Sequence, residues 1–237
     1  PNLYYFVAPG NQLSGELPIE WKECPILQWI SLENNQLSGK LPKEWSVFPG
    51  LKYLYLSNNQ LTGPLPEEWG DMHLMEDMRL DNNQLTGILP PEWASMSIMY
   101  WLYLDHNLIY GHLPPEWGAM TNLTEVVVGS NTLTGSLPPE WGDLYYLETL
   151  DLSNNYITGE IPSEFGNMAS LTAFSISSNQ ITGGVENIVS LESLLTFDIA
   201  DNKLSGSLDF VKDVADGLVS LQMSKNKFDP SVSPTVF

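Results

Sequence analysis

Leu147-Glu148-Thr149-Leu150-Asp151-Leu152-Ser153-Asn154-Asn155-Tyr156-Ile157-Thr158-Gly159-Glu160-Ile161-Pro162 decides how this chain folds, because its frame returns at a fixed step. The same pattern appears as Leu51-x-x-Leu54-x-Leu56-x-x-Asn59-x-Leu61-Thr62-Gly63-x-Leu65-Pro66. Anchored on asparagine, the series runs Asn11, Asn35, Asn59, Asn83, Asn107, Asn131, Asn155 and Asn179 at 24-residue intervals. Asn202 follows after 23 residues and Asn226 after another 24. Ten repeats therefore fill residues 1–237, read as one domain with no room for a linker or a second unit.

Each column has a physical role. The x-L-x-L-x segment alternates apolar and polar residues with period 2, the mark of a short strand with one buried face. Strands arriving once per repeat stack in parallel, about 4.8 Å apart. The asparagine follows the strand where the backbone turns inward, and its amide supplies both a donor and an acceptor for backbone groups that the turn leaves unpaired. Glycine at Gly39, Gly63 and their equivalents permits a bend. The Leu-Pro that follows starts the return along the convex side, with proline fixing φ.

Composition removes several function classes. Hydrophobic residues make up 43 % of the 237, enough for a real core, so wholesale disorder is excluded. Acids outnumber bases 29 to 9, giving a net charge of −20. That balance opposes nucleic-acid binding, which needs a basic face, and docking on anionic lipid. No apolar run is long enough to span or insert into a membrane, and the opening Pro-Asn-Leu-Tyr-Tyr-Phe-Val lacks the basic start of a signal peptide, as in a mature or excised chain. The single cysteine, Cys24, excludes an internal disulfide or a multi-cysteine zinc site.

The frame L-x-x-L-x-L-x-x-N-x-L-[ST]-G-x-[LI]-P at 24 residues resembles the plant-type leucine-rich repeat along the whole chain. A narrower signature, Leu-Pro-x-Glu-Trp as in Leu89-Pro90-Pro91-Glu92-Trp93, resembles the repeats of trypanosomatid surface antigens and related protist cell-surface proteins. The resemblance implies an α/β solenoid, a right-handed superhelix with a parallel β-sheet on its concave face and short 3-10 or irregular turns with a little helix on its convex face. It also implies extracellular or cell-surface recognition or adhesion rather than catalysis.

On the convex side, Trp21, Trp45, Trp69, Trp93, Trp117 and Trp141 share one column, continued by Phe165, where plant-type repeats bury a leucine. We read these rings as core rather than as a sugar- or cofactor-binding stripe. Met72, Met96, Met120 and Met168 form a second core column, and Cys24 falls in its register as a buried small hydrophobe. Before the aromatics stands a ladder, Glu20, Glu44, Glu68, Glu92, Glu116, Glu140 and Glu164. Like charges one turn apart must be solvated. One carboxylate per turn supplies too few oxygens for calcium, so no metal or other cofactor is expected.

The outward-facing strand positions carry the functional reading. One column runs Tyr5, Trp29, Tyr53, Asp77, Trp101 and Glu125, then Thr149, Ala173, Thr196 and Ser220. The next runs Val7, Ser31, Tyr55, Arg79, Tyr103 and Val127, and beyond it come Glu33, Ser57, Asp81 and Asp105. The first half is aromatic and acidic, the second small and polar. Tyr5, Trp29, Tyr53, Tyr55, Asp77, Arg79, Asp81, Trp101, Tyr103 and Asp105 are the candidate ligand-binding patch, since interfaces favour Trp, Tyr and Arg. Cross-strand aromatic pairing for sheet stability is the competing explanation. The patch suits a protein, peptide or carbohydrate partner, with cationic groups preferred.

Asp77 and Glu125, two strands apart at about 9.6 Å, approach the separation of an inverting glycosidase pair. An open sheet has no pocket to desolvate them, and His73, His106 and His112 lie in different columns, so no catalytic residue is assigned. The pattern decays after Asn179, and Leu208–Gly217 reads as a short amphipathic helix with a glycine stop. Both ends are abrupt, which this reading takes as a segment of a longer chain able to self-associate through uncapped ends. One glycosylation sequon occurs, Asn122-Leu123-Thr124. Recognition or adhesion leads; a structural building block of an extracellular assembly is the alternative.

Overall fold

The computed structural model describes residues 2–48, 50–209, 211 and 217–229. The helix expected over Leu208–Gly217 falls largely outside them. Each repeat contributes one three-residue strand to a sheet of ten parallel strands in chain order, from Tyr5–Val7 to Ser220–Gln222. The register advances by whole repeats, Tyr5 opposite Trp29, Trp29 opposite Tyr53 and Tyr53 opposite Asp77, so every sequence column becomes a straight row across the sheet. The central residue of each inner strand, such as Ile30, Leu54, Met78 or Leu102, is fully buried, as the alternation requires.

The turn after each strand places the residue before the anchor asparagine in the left-handed region, with φ of 66° at Gly10 and between 52° and 58° at the others. Asn34, Asn58, Asn82 and Asn154 occupy four of these positions, and asparagine accepts that conformation at little cost. The anchor then works as a clamp between turns. Asn107 Oδ1 accepts the N–H of Leu85 at 2.9 Å, while its Nδ2 donates to Leu80 O, Leu104 O and Asp105 O at 3.1, 3.0 and 3.2 Å. Asn35, Asn83, Asn131, Asn155, Asn179 and Asn202 are likewise buried.

The return strand is more ordered than the sequence suggests. Ser14–Glu16, Gln36–Lys40, Gln60–Pro64 and Gln84–Thr86 form a second parallel sheet, and Tyr110–His112 pairs with Thr132–Thr134. Thr62 and Thr134 hydroxyls donate to the carbonyls of Gly39 and Gly111 in the preceding turn, at 3.2 and 3.1 Å. Gly39 is favoured by its φ of +78°; the Glu16 side chain lies across it, with Cγ 2.7 Å from where a Cβ would stand, and would have to move aside for any larger residue.

Pro42, Pro66, Pro90, Pro114 and Pro138 then lead into five-residue 3-10 turns, Lys43–Val47, Glu67–Asp71, Pro91–Ser95, Pro115–Ala119 and Pro139–Asp143. Each turn inserts its tryptophan into the core. Trp45, Trp69, Trp93, Trp117 and Trp141 are fully buried and stack at 6.1–6.4 Å between ring centroids, with planes within 11°. Burying ~150–250 Å² per ring is worth roughly 4–6 kcal/mol of gross transfer free energy. The indole N–H is satisfied as well: Trp93 Nε1 donates to Pro66 O at 2.9 Å, and the same bond repeats from Trp69 to Pro42 and from Trp117 to Pro90. Cys24 departs from expectation. It is half-buried, packed against the margin of the core beside the first 3-10 turn.

Candidate binding face on the concave sheet

The outward residues of the first six strands form two connected side-chain systems. At one end Trp29 gathers Tyr5, Tyr53 and Tyr55, at centroid distances of 6.3, 5.1 and 5.7 Å. Its own Nε1–H is buried and has no hydrogen-bond partner among the described residues. The sheet forces these contacts, since rings on adjacent strands have backbones only about 4.8 Å apart.

The second system is built around Arg79. Its guanidinium lies 5.0 Å from the ring centres of both Tyr55 and Tyr103, which flank it on neighbouring strands. It donates from Nε to Asp77 Oδ1 at 3.0 Å and from Nη2 to Asp77 Oδ2 at 2.9 Å. Tyr55 donates its hydroxyl to the same Oδ2 at 2.8 Å, and the Tyr103 hydroxyl donates to Glu125. Asp77 therefore differs from its expected place. It is 1 % exposed, because Arg79 and Tyr55 close over it, and it acts as the buried counter-ion that fixes Arg79. Ser31 is buried too, donating to Glu33 Oε2 at 2.8 Å. Glu125 is engaged by Tyr103, so the spacing of Asp77 and Glu125 does not present two free carboxylates.

These contacts hold the phenols protonated. Burial first, then the hydrogen bond to Asp77, raises the pKa of Tyr55. Burial and the bond to Glu125 do the same for Tyr103. Beside the strands, Glu76 receives hydrogen bonds from Lys52 Nζ and Tyr53 Oη, each at 2.7 Å, and its pKa is lowered chiefly by the Lys52 bond. Lys52 and Glu76 were invisible as site residues in the repeat frame; the facing lysine and glutamate one repeat apart, 24 residues, were the only clue.

A recess of about 500 Å³ opens at the rim, walled by Tyr55, Arg79 and Tyr103 and by Glu33, Asp81 and Asp105. Asp81 accepts from Ser57 and from Asn82 Nδ2, and Asp105 pairs with His106 Nδ1 at 2.7 Å. Burial is the main cause of the raised Asp105 pKa; the His106 bond opposes it and the Asp81 charge adds to it. With Arg79 neutralised by Asp77, the recess is anionic. In the second half of the sheet, Thr149, Asp151, Ala173, Ser175 and Thr196 line a depression of about 200 Å³. Among the described residues, no three His, Cys, Asp or Glu side chains gather as a metal site. Asn122 is half-buried and donates from Nδ2 to Ser97 O at 2.8 Å.

Leucine-rich-repeat family models match residues 27–48, 50–72, 75–96 and 121–181. The chain is a leucine-rich-repeat solenoid. Solved structures similar to it include a TDR receptor, at 27 % identity and a TM-score of 0.89 over 95 % of this chain and 39 % of that one. A plant peptide hormone receptor, RGFR1 in complex with RGF2, matches at 29 % identity and 0.79, over 95 % of this chain and 40 % of that one. The Arabidopsis receptor kinase HAESA, in complex with the peptide hormone IDA and the co-receptor SERK1, matches at 27 % and 0.76, over 95 % and 42 %. This leucine-rich-repeat chain thus spans about two-fifths of the length of each. Among curated protein sequences nothing matches.

Proposed function

We propose that this protein is a non-enzymatic recognition solenoid of the cell surface or extracellular space, which binds a protein or peptide segment across strands one to six of its concave sheet. The observation that carries the reading is the rim recess. Two tyrosine rings are held open by Arg79, three carboxylates stand beside them, and the only guanidinium present is already neutralised. A lysine or arginine of the partner would find ring faces and carboxylates together there. The likeness to receptors solved with peptide hormones supports a peptide partner. The Leu-Pro-x-Glu-Trp likeness to protist surface antigens, an attached glycan at Asn122 and a carbohydrate ligand belong to the same extracellular proposal. So do a single domain over residues 1–237 and self-association at its ends.

Selection of a random peptide display library on the immobilised chain, followed by titration of the recovered peptides, tests this reading. Selected peptides should carry Arg or Lys, and Trp101→Ala should weaken them by ~2 kcal/mol or more while leaving the fold intact. Recovered peptides that bind Trp101→Ala and Asp81→Asn with unchanged affinity would move the site off this face.

A further inference from the structure

A groove runs along another side of the coil, between the second sheet and the 3-10 turns. Two recesses of about 590 and 630 Å³ form it, and Pro64, Pro66 and Glu68 line both, so it is continuous from Ile19 to Tyr110. Its floor is apolar and open to water: Ile19, Ile88 and Tyr110 are 46, 52 and 53 % exposed. The column that holds Pro64 and Ile88 begins as Glu16 and Lys40 and continues as His112, Ser136 and Glu160, so its apolar part is confined to the third and fourth turns. The wall is anionic, built from Glu44, Glu68 and Glu92. Lys40 and Lys43 stand at its near end, and Lys43 forms an ion pair with Glu68 at 3.4 Å.

The step of the coil beneath that wall bears on what fits. Each of these glutamates immediately precedes a stacked tryptophan, and the indoles repeat at 6.3–6.4 Å from Trp45 through Trp69 to Trp93. An extended chain places alternate side chains about 6.4–6.8 Å apart on one side. A helix places its same-face neighbours about 5–6 Å apart, short of that step. We infer that this groove docks an extended segment of another protein in which basic residues alternate with apolar ones. The basic side chains meet Glu44, Glu68 and Glu92 in register, and the apolar ones cover Pro64, Ile88 and Tyr110. The net charge of −20 draws such a segment in from solution. The apolar floor separates this occupant from a simple polyamine, which has nothing to cover it.

Two fluorescein-labelled peptides of equal composition decide the matter by anisotropy at low salt: alternating Lys-Val-Lys-Val-Lys-Val-Lys and block Lys-Lys-Lys-Lys-Val-Val-Val. The alternating peptide should bind about tenfold more tightly than the block peptide, a difference of about 1.4 kcal/mol. Glu68→Gln and Ile88→Lys, both at solvent-facing positions, should each remove most of that advantage. Hydrogen exchange on the unmodified chain should slow in residues 60–64 and 84–92 when the peptide is added. Equal affinity of the two peptides would mean charge attraction without register, and would overturn the inference. So would loss of binding on Trp101→Ala with Ile88→Lys unaffected, which would put the peptide on the concave sheet instead. A dimer that Ile88→Lys splits, in a chain that ignores both peptides, would assign the groove to a second copy and refute a foreign segment.

Discussion

Replacing Asn107 with alanine tests the clamp that joins one turn to the next. The side chain makes one accepted and three donated hydrogen bonds, but they are not equally replaceable. Leu80 O also accepts from Asn83 Nδ2 at 3.0 Å, and Leu104 O from Asn131 Nδ2 at 3.0 Å, so both carbonyls keep a partner after the substitution. Leu85 N–H loses its acceptor in a fully buried residue. Stranding one buried donor costs about 1–3 kcal/mol, and the lost amide contacts add to it, so we expect a destabilisation of ~2–3 kcal/mol. Asn35→Ala is the internal control. Its partner is the N–H of Leu13, an exposed residue that water can reach, so its cost should be smaller. Asn107→Asp sharpens the argument, because a carboxylate would still accept from Leu85 but would face three carbonyl oxygens. It should be worse than alanine at neutral pH and should recover as acid protonates it. Urea unfolding of the three variants reads all of this. Equal costs for Asn35→Ala and Asn107→Ala, or an Asn107→Asp variant as stable as the parent at pH 7, would refute the account of an unpaired donor.

Arg79→Ala should destabilise by about 2–4 kcal/mol, because Asp77 is left buried without its counter-ion; adding Asp77→Asn should restore part of the loss, measured by a double-mutant cycle. Asp105→Asn should raise the melting temperature at pH 7. The folded-state pKa of Asp105 lies above its ordinary value, so its ionised form opposes folding above that pKa, and the gain should fade as pH drops below the unfolded value. Glu76→Gln should show the opposite sign: its folded pKa is lowered, so it contributes stability above the unfolded value that disappears as pH falls through the folded one. Calcium and chelator should leave the melting temperature unchanged within about a degree, since one glutamate per turn cannot complete a coordination sphere; a calcium-dependent rise abolished by Glu92→Gln would contradict this.

The repeat made the concave sheet, its rows and the buried tryptophans legible, because a strict period maps each column onto one environment. The second sheet was harder to see. Gln36-Leu37-Ser38-Gly39 alternates like a strand, but a glycine near its end reads as a turn until its φ and the side chain lying across it are known. The left-handed turn had a signature that needed only a mechanism, since Asn-Asn pairs occur at 34–35, 58–59, 82–83 and 154–155 and Gly10 precedes Asn11. The candidate site was read less well. Column position alone makes Asp77 an outward residue, whereas its burial depends on which neighbours happen to be Tyr55 and Arg79. Identity within a row, rather than the row itself, decides burial on this face.

The tryptophan column couples the core to the concave sheet. Strands on the concave sheet are about 4.8 Å apart, a distance fixed by backbone hydrogen bonds. The stacked indoles on the far side repeat at 6.1–6.4 Å, and each is tethered to the carbonyl of the preceding turn's proline. The difference between the two spacings bends the coil, so that outward side chains on the inner sheet converge toward one another. Tyr55 and Tyr103 flank Arg79 from the strands on either side, each at 5.0 Å, and that convergence would press both rings toward it. Replacing Trp69 and Trp93 together by leucine should therefore do more than remove buried area. A smaller side chain leaves space between the turns, the turns can close up, and the sheet flattens. The tyrosines should then splay away from Arg79. Ultraviolet titration of the phenols reads the change: Tyr55 and Tyr103 resist ionisation because burial and their carboxylate partners raise their pKa, and in the double variant both should ionise at lower pH. Phenol titration identical to the parent, in a variant that remains folded, would show that the inner face is set by its own contacts and not by the curvature of the core.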